Sequence, residues 1–317
     1  MTENAAMSDI QAPPATGLIA FLGLGHMGGP MAANLIKAGH DVIGYDPPVP
    51  AAVDAARAHG IPMASTAHEA AAEAAVVLTM LPSGKHVLDA YRGVDGPGGL
   101  LSLAKPNTLF LDCSTINVDE AREAAVIALE AGHRSVDAPV SGGVVGAEAG
   151  TLTFMVGALP EDFETVKPIL ELMGKRIVHC GDHGAGQAAK VCNNMILGVS
   201  MIAVAEAFVL GEKLGLTHQA LFDVASNASG QCWALTTNCP VPGPVPTSPP
   251  ANRDYQPGFA GALMAKDLRL AVNALESTGV AAEMGPLASR IYDAFAAGEG
   301  AGRDFSGIIT EIRDKSV

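Results

Sequence analysis

Residues 18–46 read LIAFLGLGHMGGPMAANLIKAGHDVIGYD. An apolar run meets a glycine cluster, a stretch of helical period follows, and a second apolar run ends in an acid. Two strands that run the same way cannot be joined by a tight turn; they need a crossover, and here the crossover is helical. The stretch therefore commits the chain to a parallel sheet with helices on its faces. Gly23, Gly25 and Gly28 stand in the G-x-G-x-x-G spacing between strand and helix. Gly23 permits the tight turn, Gly25 lets a pyrophosphate approach the backbone, and Gly28 lets helix and strand pack closely. Leu24, His26 and Met27 complete the turn, and the helix N-terminus offers its amides to an anion. A ligand-free turn can share the bare spacing; strand, helix, second strand and terminal acid together make the dinucleotide reading strong. Asp46 is placed to accept hydrogen bonds from ribose hydroxyls, and its charge repels a 2′-phosphate. No arginine follows in PPVP, so NAD is expected rather than NADP.

The alternation continues. Apolar strand patterns recur at 74–82, 108–115, 134–141, 152–158 and 176–181, with helical patterns at 50–59, 84–91, 118–131 and 160–173. Strand signals then stop, and 186–214, 217–228, 261–278 and 281–297 read as helices. The expected fold is α/β: a Rossmann-like doubly wound parallel sheet over 17–180, then an all-α domain over 181–317 reached through one long helix. Residues 238–258, NCPVPGPVPTSPPANRDYQPG, hold too many prolines for a helix or a central strand. They read as an ordered binding loop. Residues 1–16 read as a disordered tail, without the apolar segment of a secretion signal or the arginines of a mitochondrial presequence.

Net charge of −14 argues against nucleic acid or an anionic membrane surface as partner, while leaving room for a small anion held by local positive groups. The run 191–214 is apolar enough to suggest a membrane span, but Asn193, Asn194, Glu206, Glu212 and Lys213 lie in it, so a buried helix is expected. Five scattered cysteines without a C-x-x-C pair fit a reduced, cytoplasmic protein.

Within that apolar run, KVCNN (190–194) asks for an explanation, because a buried lysine or amide is costly unless something uses it. Lys190 and Asn194 are four apart and share a helix face, about 5–6 Å from each other. A lysine there can accept the proton of an alcohol as hydride leaves, and desolvation would lower its pKa toward the working range. The same lysine could also cap the first turn and extend to water. PVSGG (139–143) is similarly open: Ser141, Gly142 and Gly143 expose a hydroxyl and amides that can seat a carboxylate, or they form an ordinary turn. HCGDH (179–183) gathers metal-ligand types without a convincing fourth donor, and no metal is expected.

Four blocks decide between these readings. GLGHMGGPMAANL, DAPVSGGVVGAEAGTLTFMVG, GAGQAAKVCNNM and MAKDLRLA cover most of the chain in an order and spacing that resemble the β-hydroxyacid dehydrogenases. The loop NASGQCWALTTNCPVPGPVP (227–246) is similar to the branch acting on 3-hydroxyisobutyrate. The resemblance implies NAD contacts at Leu81, Pro82, Thr115 and Lys266, with His86 where the branch carries asparagine. It implies a carboxylate seat at Ser141, Gly142 and Gly143, and proton transfer by Lys190 with Asn194 orienting it or the hydroxyl. Asp267 would steady the site, and Trp233 and Phe259 would wall the substrate's methyl group. The expected activity is NAD-dependent oxidation of a small 3-hydroxy acid, 3-hydroxyisobutyrate in valine breakdown. Rival substrates are tartronate semialdehyde, 3-hydroxypropionate, serine and succinic semialdehyde. A non-catalytic NAD-binding module would be expected to have lost Lys190. The long apolar helix and Ala-rich second half suggest a homodimer or homotetramer.

Overall fold

A computed structural model describes residues 17–47, 50–93 and 98–316; the expected tail, 1–16, lies outside them. Eight strands form one sheet: β1 (Ile19–Leu22), β2 (Val42–Tyr45), β3 (Val76–Thr79), β4 (Leu109–Asp112), β5 (Arg134–Asp137), β6 (Val140–Ser141), β7 (Leu152–Gly157) and β8 (Gly174–Gly181). β1, β3 and β4 are buried at every position, which is why they read as unbroken apolar runs; β2 at the edge alternates. β2, β1, β3, β4 and β5 pair in that order and in parallel. The chain leaves β1 for β2 on one side and returns to β3 on the other. A crevice therefore opens over the carboxyl ends of β1 and β3, where nucleotides bind in sheets of this kind.

The sheet departs from the expected all-parallel one at β7, which runs antiparallel to β5 and β6. The segment between β6 and β7 holds only the short helix Gly143–Ala149, too little chain for a crossover. The run 134–141 is also split, because Pro139 has no N–H to donate; its carbonyl still accepts the amide of Met155 at 3.0 Å. Asp137 faces Gly157, Val140 faces Phe154 and Ser141 faces Thr153, so one register runs through both pieces. β8 pairs parallel on the other edge of β7.

Beyond β8 the described chain is helical apart from one isolated bridge, Ala260 to Asp304. The helix Ala185–Lys213 is long and apolar enough to cross a membrane, yet half of that apolar window is buried within the chain. Met201, Ala205, Phe208 and Val209 enter a core shared with Met264, Leu268, Tyr292, Phe295 and Phe305. Gly198 permits the approach of helix Gly261–Thr278: a Cβ there would lie 3.0 Å from Leu268. A terminal helix, Ile308–Lys315, gives no strong sequence signal and is held by paired bonds from Arg313 to Glu212 of the long helix. The Pro-rich loop contains only a 3₁₀ turn, Pro250–Arg253, and is ordered by burial of Cys239, Val241 and Tyr255.

Phe154 of β7 is fully buried at the centre of the sheet core. Phe154→Ala is expected to cost about 3–5 kcal/mol of stability, read from the urea midpoint.

Candidate active site

The glycine turn follows β1. Gly23 has φ +89°, and a Cβ on it would lie 2.3 Å from the carbonyl oxygen of Met80. A Cβ on Gly28 would lie 1.9 Å from the carbonyl oxygen of Gly23, so the helix Gly28–Lys37 starts directly against the strand end. Gly25 differs: it is exposed, and nothing lies within 4 Å of where its Cβ would be. Its lack of a side chain serves the space outside the turn, which fits a pyrophosphate at a helix N-terminus. His26 is exposed beside it and Met27 half-buried. Asp46, just past β2, accepts the amide of Leu24 at 2.7 Å through Oδ2 and so braces the glycine turn from the end of the second strand.

At the other end of the crevice, the loops after β3 and β4 are tied together. Buried Asp112 accepts the hydroxyls of Thr79 at 2.7 Å and Ser114 at 2.6 Å, and the hydroxyl oxygen of Ser114 accepts the amide of Leu81 at 2.8 Å. Burial raises the Asp112 pKa, against the pull of those hydroxyls and of Lys266. Lys266 reaches across from the helical half: its ammonium donates to the carbonyls of Pro82 and Thr115, each at 2.8 Å. His86 lies exposed in the next helix, with Nδ1 2.7 Å from Ser83 Oγ.

The residues expected to do the chemistry meet between these halves. Lys190 is 6% exposed and its ammonium donates to the carbonyl of Val140 at 2.5 Å, immediately before Ser141. Burial lowers its pKa, the charge of Asp267 raises it and Lys266 lowers it further. Asn194 donates to Asp267 at 2.5 Å and accepts from Asn193 at 2.9 Å. Burial raises the pKa of Asp267, with Lys190, Lys266 and Asn194 acting the other way. Lys190 and Asp267 are thus held together away from bulk water, where charge interactions are strong, with half-buried Lys266 beside them. Gly142 and Gly143 take φ +133° and +63°, conformations that side-chain-bearing residues rarely adopt. Phe259 packs edge-on to Phe305, with centroids 5.8 Å apart. Trp233 stands apart: Ala234 and Leu235 are the buried residues of the short helix Trp233–Thr236, which turns the indole outward, 52% exposed.

Two further groups position the lysine and leave no local sequence pattern. Asp137, at the end of β5, accepts the amides of Gly184 at 2.6 Å and Gln187 at 3.0 Å, the first amides of the long helix. Gln187, fully buried, donates to the carbonyl of Ser114 at 2.7 Å and accepts the amide of Ile116 at 3.3 Å. The helix foot is therefore fixed to both the end of β5 and the loop after β4, one turn below Lys190. Asp137 invites notice only because an acid ends a buried strand.

Comparison with known proteins gives the family of the chain. A family model described as the NAD binding domain of 6-phosphogluconate dehydrogenase matches residues 18–181. Another, described as NAD-binding of NADP-dependent 3-hydroxyisobutyrate dehydrogenase, matches 184–312. The chain is 55% identical over 298 residues to the probable 3-hydroxyisobutyrate dehydrogenase of Mycobacterium tuberculosis, covering 94% of this chain and 98% of that protein. It belongs to the 3-hydroxyisobutyrate dehydrogenase family. The solved structure of the M. tuberculosis 3-hydroxyisobutyrate dehydrogenase with L-serine superposes with a TM-score of 0.89, covering 94% of this chain and 99% of that one. An NAD-dependent L-serine dehydrogenase of Pseudomonas aeruginosa is 48% identical over 288 residues, 91% of this chain and 95% of that protein. As a member of the 3-hydroxyisobutyrate dehydrogenase family, the protein is an oxidoreductase acting on the CH–OH group of a β-hydroxy acid with a nicotinamide dinucleotide as cofactor.

Asp137 gives a pH prediction. Burial raises its pKa from 3.8 to about 6, against the two helix amides. A folded value above the unfolded one means its contribution to stability is complete below pH 4 and is lost as pH rises through 6. The loss is about 3 kcal/mol. Asp137→Asn cannot ionise, so between pH 4.5 and 7 its stability should improve relative to wild type by roughly 2 kcal/mol in urea titrations.

Proposed function

We propose that the protein oxidises 3-hydroxyisobutyrate to methylmalonate semialdehyde with NAD, as a step of valine breakdown, and that Lys190 is the general base. The observation that carries this reading is the buried Lys190 ammonium one hydrogen bond from the strand that leads into Ser141, Gly142 and Gly143. That turn would hold the substrate carboxylate through the Ser141 hydroxyl and the glycine amides. A hydroxyl on the third carbon, counting the carboxyl carbon as the first, would then lie at Lys190. Bound NAD supplies the hydride acceptor. Lys190, in its neutral form, takes the hydroxyl proton as the C–H bond breaks and returns it to the alkoxide in the reverse direction. Asn194, fixed by Asp267 and Asn193, holds the hydroxyl or the amine in line. Lys266 closes the helical half over the cofactor by its bonds to the carbonyls of Pro82 and Thr115.

Asp46 supports NAD over NADP, since its carboxylate sits against the glycine turn where a 2′-phosphate would bring like charge. Exposed Leu210, Leu214 and Val224 on the helical half support assembly into a homodimer or homotetramer. Five free cysteines suit a cytoplasmic setting. The second reading is serine oxidation, favoured by the relative and the solved complex that carry serine in their names. The same seat, lysine and hydride path would serve; the group on the middle carbon differs.

Values of kcat/KM for 3-hydroxyisobutyrate, L-serine and 3-hydroxypropionate decide between these readings, with 3-hydroxyisobutyrate expected to lead. A lead for serine would overturn the substrate assignment and keep the mechanism. Lys190→Ala should lower kcat by about 10²–10⁴-fold while NAD still binds. The wild-type acid limb, at a pKa below that of a free lysine, should vanish with it. Asp46→Ala should narrow the ratio of kcat/KM with NAD to that with NADP; an unchanged ratio would remove Asp46 from this role.

A further inference from the structure

Asp304 lies far from the cofactor crevice in sequence and is 1% exposed. Its Oδ2 accepts the amides of Gly258 and Phe259, each at 3.0 Å. Its Oδ1 accepts the amide of Ser306 at 3.0 Å, the Ser306 hydroxyl at 2.7 Å and the Asn238 amide group at 3.5 Å. Backbone bonds reinforce this hold: Asp304 N donates to Tyr255 O at 2.8 Å, Phe305 N to Phe259 O at 2.9 Å and Gly261 N to Arg303 O at 2.8 Å. One buried carboxylate therefore grips the Pro-rich loop at its entry, Asn238, and at its exit, Gly258 and Phe259. Donors converge on both oxygens, so an amide in its place would turn its NH₂ group against at least one of them.

The exit of that loop bears on the substrate turn. A Cβ on Gly143 would lie 2.7 Å from the carbonyl oxygen of Gly258, so the two backbones are in direct contact. Gly142 is backed by Leu152, 3.1 Å from where its Cβ would be. Two consecutive residues with positive φ have little intrinsic preference for one conformation, so the shape of this turn depends on what presses against it.

We propose that Asp304 is a positioning residue for the substrate carboxylate: it fixes Gly258 against Gly143 and so sets the shape of the Ser141–Gly143 seat without touching substrate. The proposal rests on the reading of that turn as the carboxylate seat. The test uses Asp304→Asn and the milder Ser306→Ala, which removes a single donor from the carboxylate. Isobutyrate, which has the carboxylate and lacks the hydroxyl, is the probe of the seat. For Asp304→Asn, KM for the hydroxy acid and the competitive Ki of isobutyrate should rise about tenfold, with kcat within about threefold and the Kd of NAD unchanged. Ser306→Ala should move the same two constants by about two- to threefold. If Asp304→Asn does not fold, Ser306→Ala decides alone. Unchanged Ki and KM in the folded variants, or an equal loss across kcat, KM and NAD affinity, would overturn the role. Ser141→Ala is the control on the seat itself. A raised Ki there, with none in the Asp304 and Ser306 variants, rejects only this inference; no rise in any of the three rejects the seat and the inference with it.

Discussion

The foot of the long helix is what the rest of the site depends on. Asp137 accepts two of the first amides of Ala185–Lys213, groups that a helix leaves unpaired and that burial would otherwise penalise. No side chain separates helix from sheet there. A Cβ on Gly157 would lie 2.3 Å from the Asp137 carboxylate, and one on Gly186 would lie 2.3 Å from the carbonyl oxygen of Met155. This close seating carries Lys190 into a dry position at the seam. It also leaves an ionisable group of raised pKa one turn below Lys190, and the amides of the helix start are what keep it compatible with neutral pH.

The two halves of the chain divide the work unequally. The sheet half supplies backbone groups: open glycine amides, the carbonyls that receive Lys190 and Lys266, and the amide of Leu81. The helical half supplies charged side chains, Lys190, Lys266 and Asp267, all from helices buried on one flank. Burial pushes each of these three toward its neutral form, and their mutual attractions and repulsions set how far. Such a cluster is expensive in isolation. It is tolerated because each member also has hydrogen-bond partners, most of them on the opposite half.

The nucleotide crevice was legible because its determinants are local: glycine spacing, helical period and a terminal acid all fall within 18–46. The long helix and the Lys190–Asn194 face were legible for the same reason. Strand direction was not, since an apolar strand pattern reads the same in either direction; the short link between β6 and β7 was the available clue to the antiparallel turn. Asp137, Gln187 and Asp304 escaped because each acts on backbone far away in sequence, 47, 73 and 46 residues distant for their main contacts. Nothing in a local window distinguishes such an acid from a surface one. At Trp233 no local pattern tells which residues of the short helix turn inward; those are its neighbours Ala234 and Leu235.

The shared register of β5 and β6 along β7 has a consequence for selectivity. The helix foot is anchored to Asp137 and the Ser141–Gly143 turn begins at the end of β6, and both are stitched to the same neighbouring strand without slippage. On the proposed reading, the anchor for the carboxylate and the acceptor for the proton are therefore two marks on one stiff ruler. Such a ruler measures the number of carbons between acid and alcohol before it inspects what branches from them. A hydroxyl one carbon nearer or farther would miss the lysine, whereas a methyl, hydrogen or ammonium at the middle carbon leaves the span unchanged. The architecture would thus be strict about the length of its substrate and lenient about its branch, which is the pattern seen in the names of the relatives it resembles.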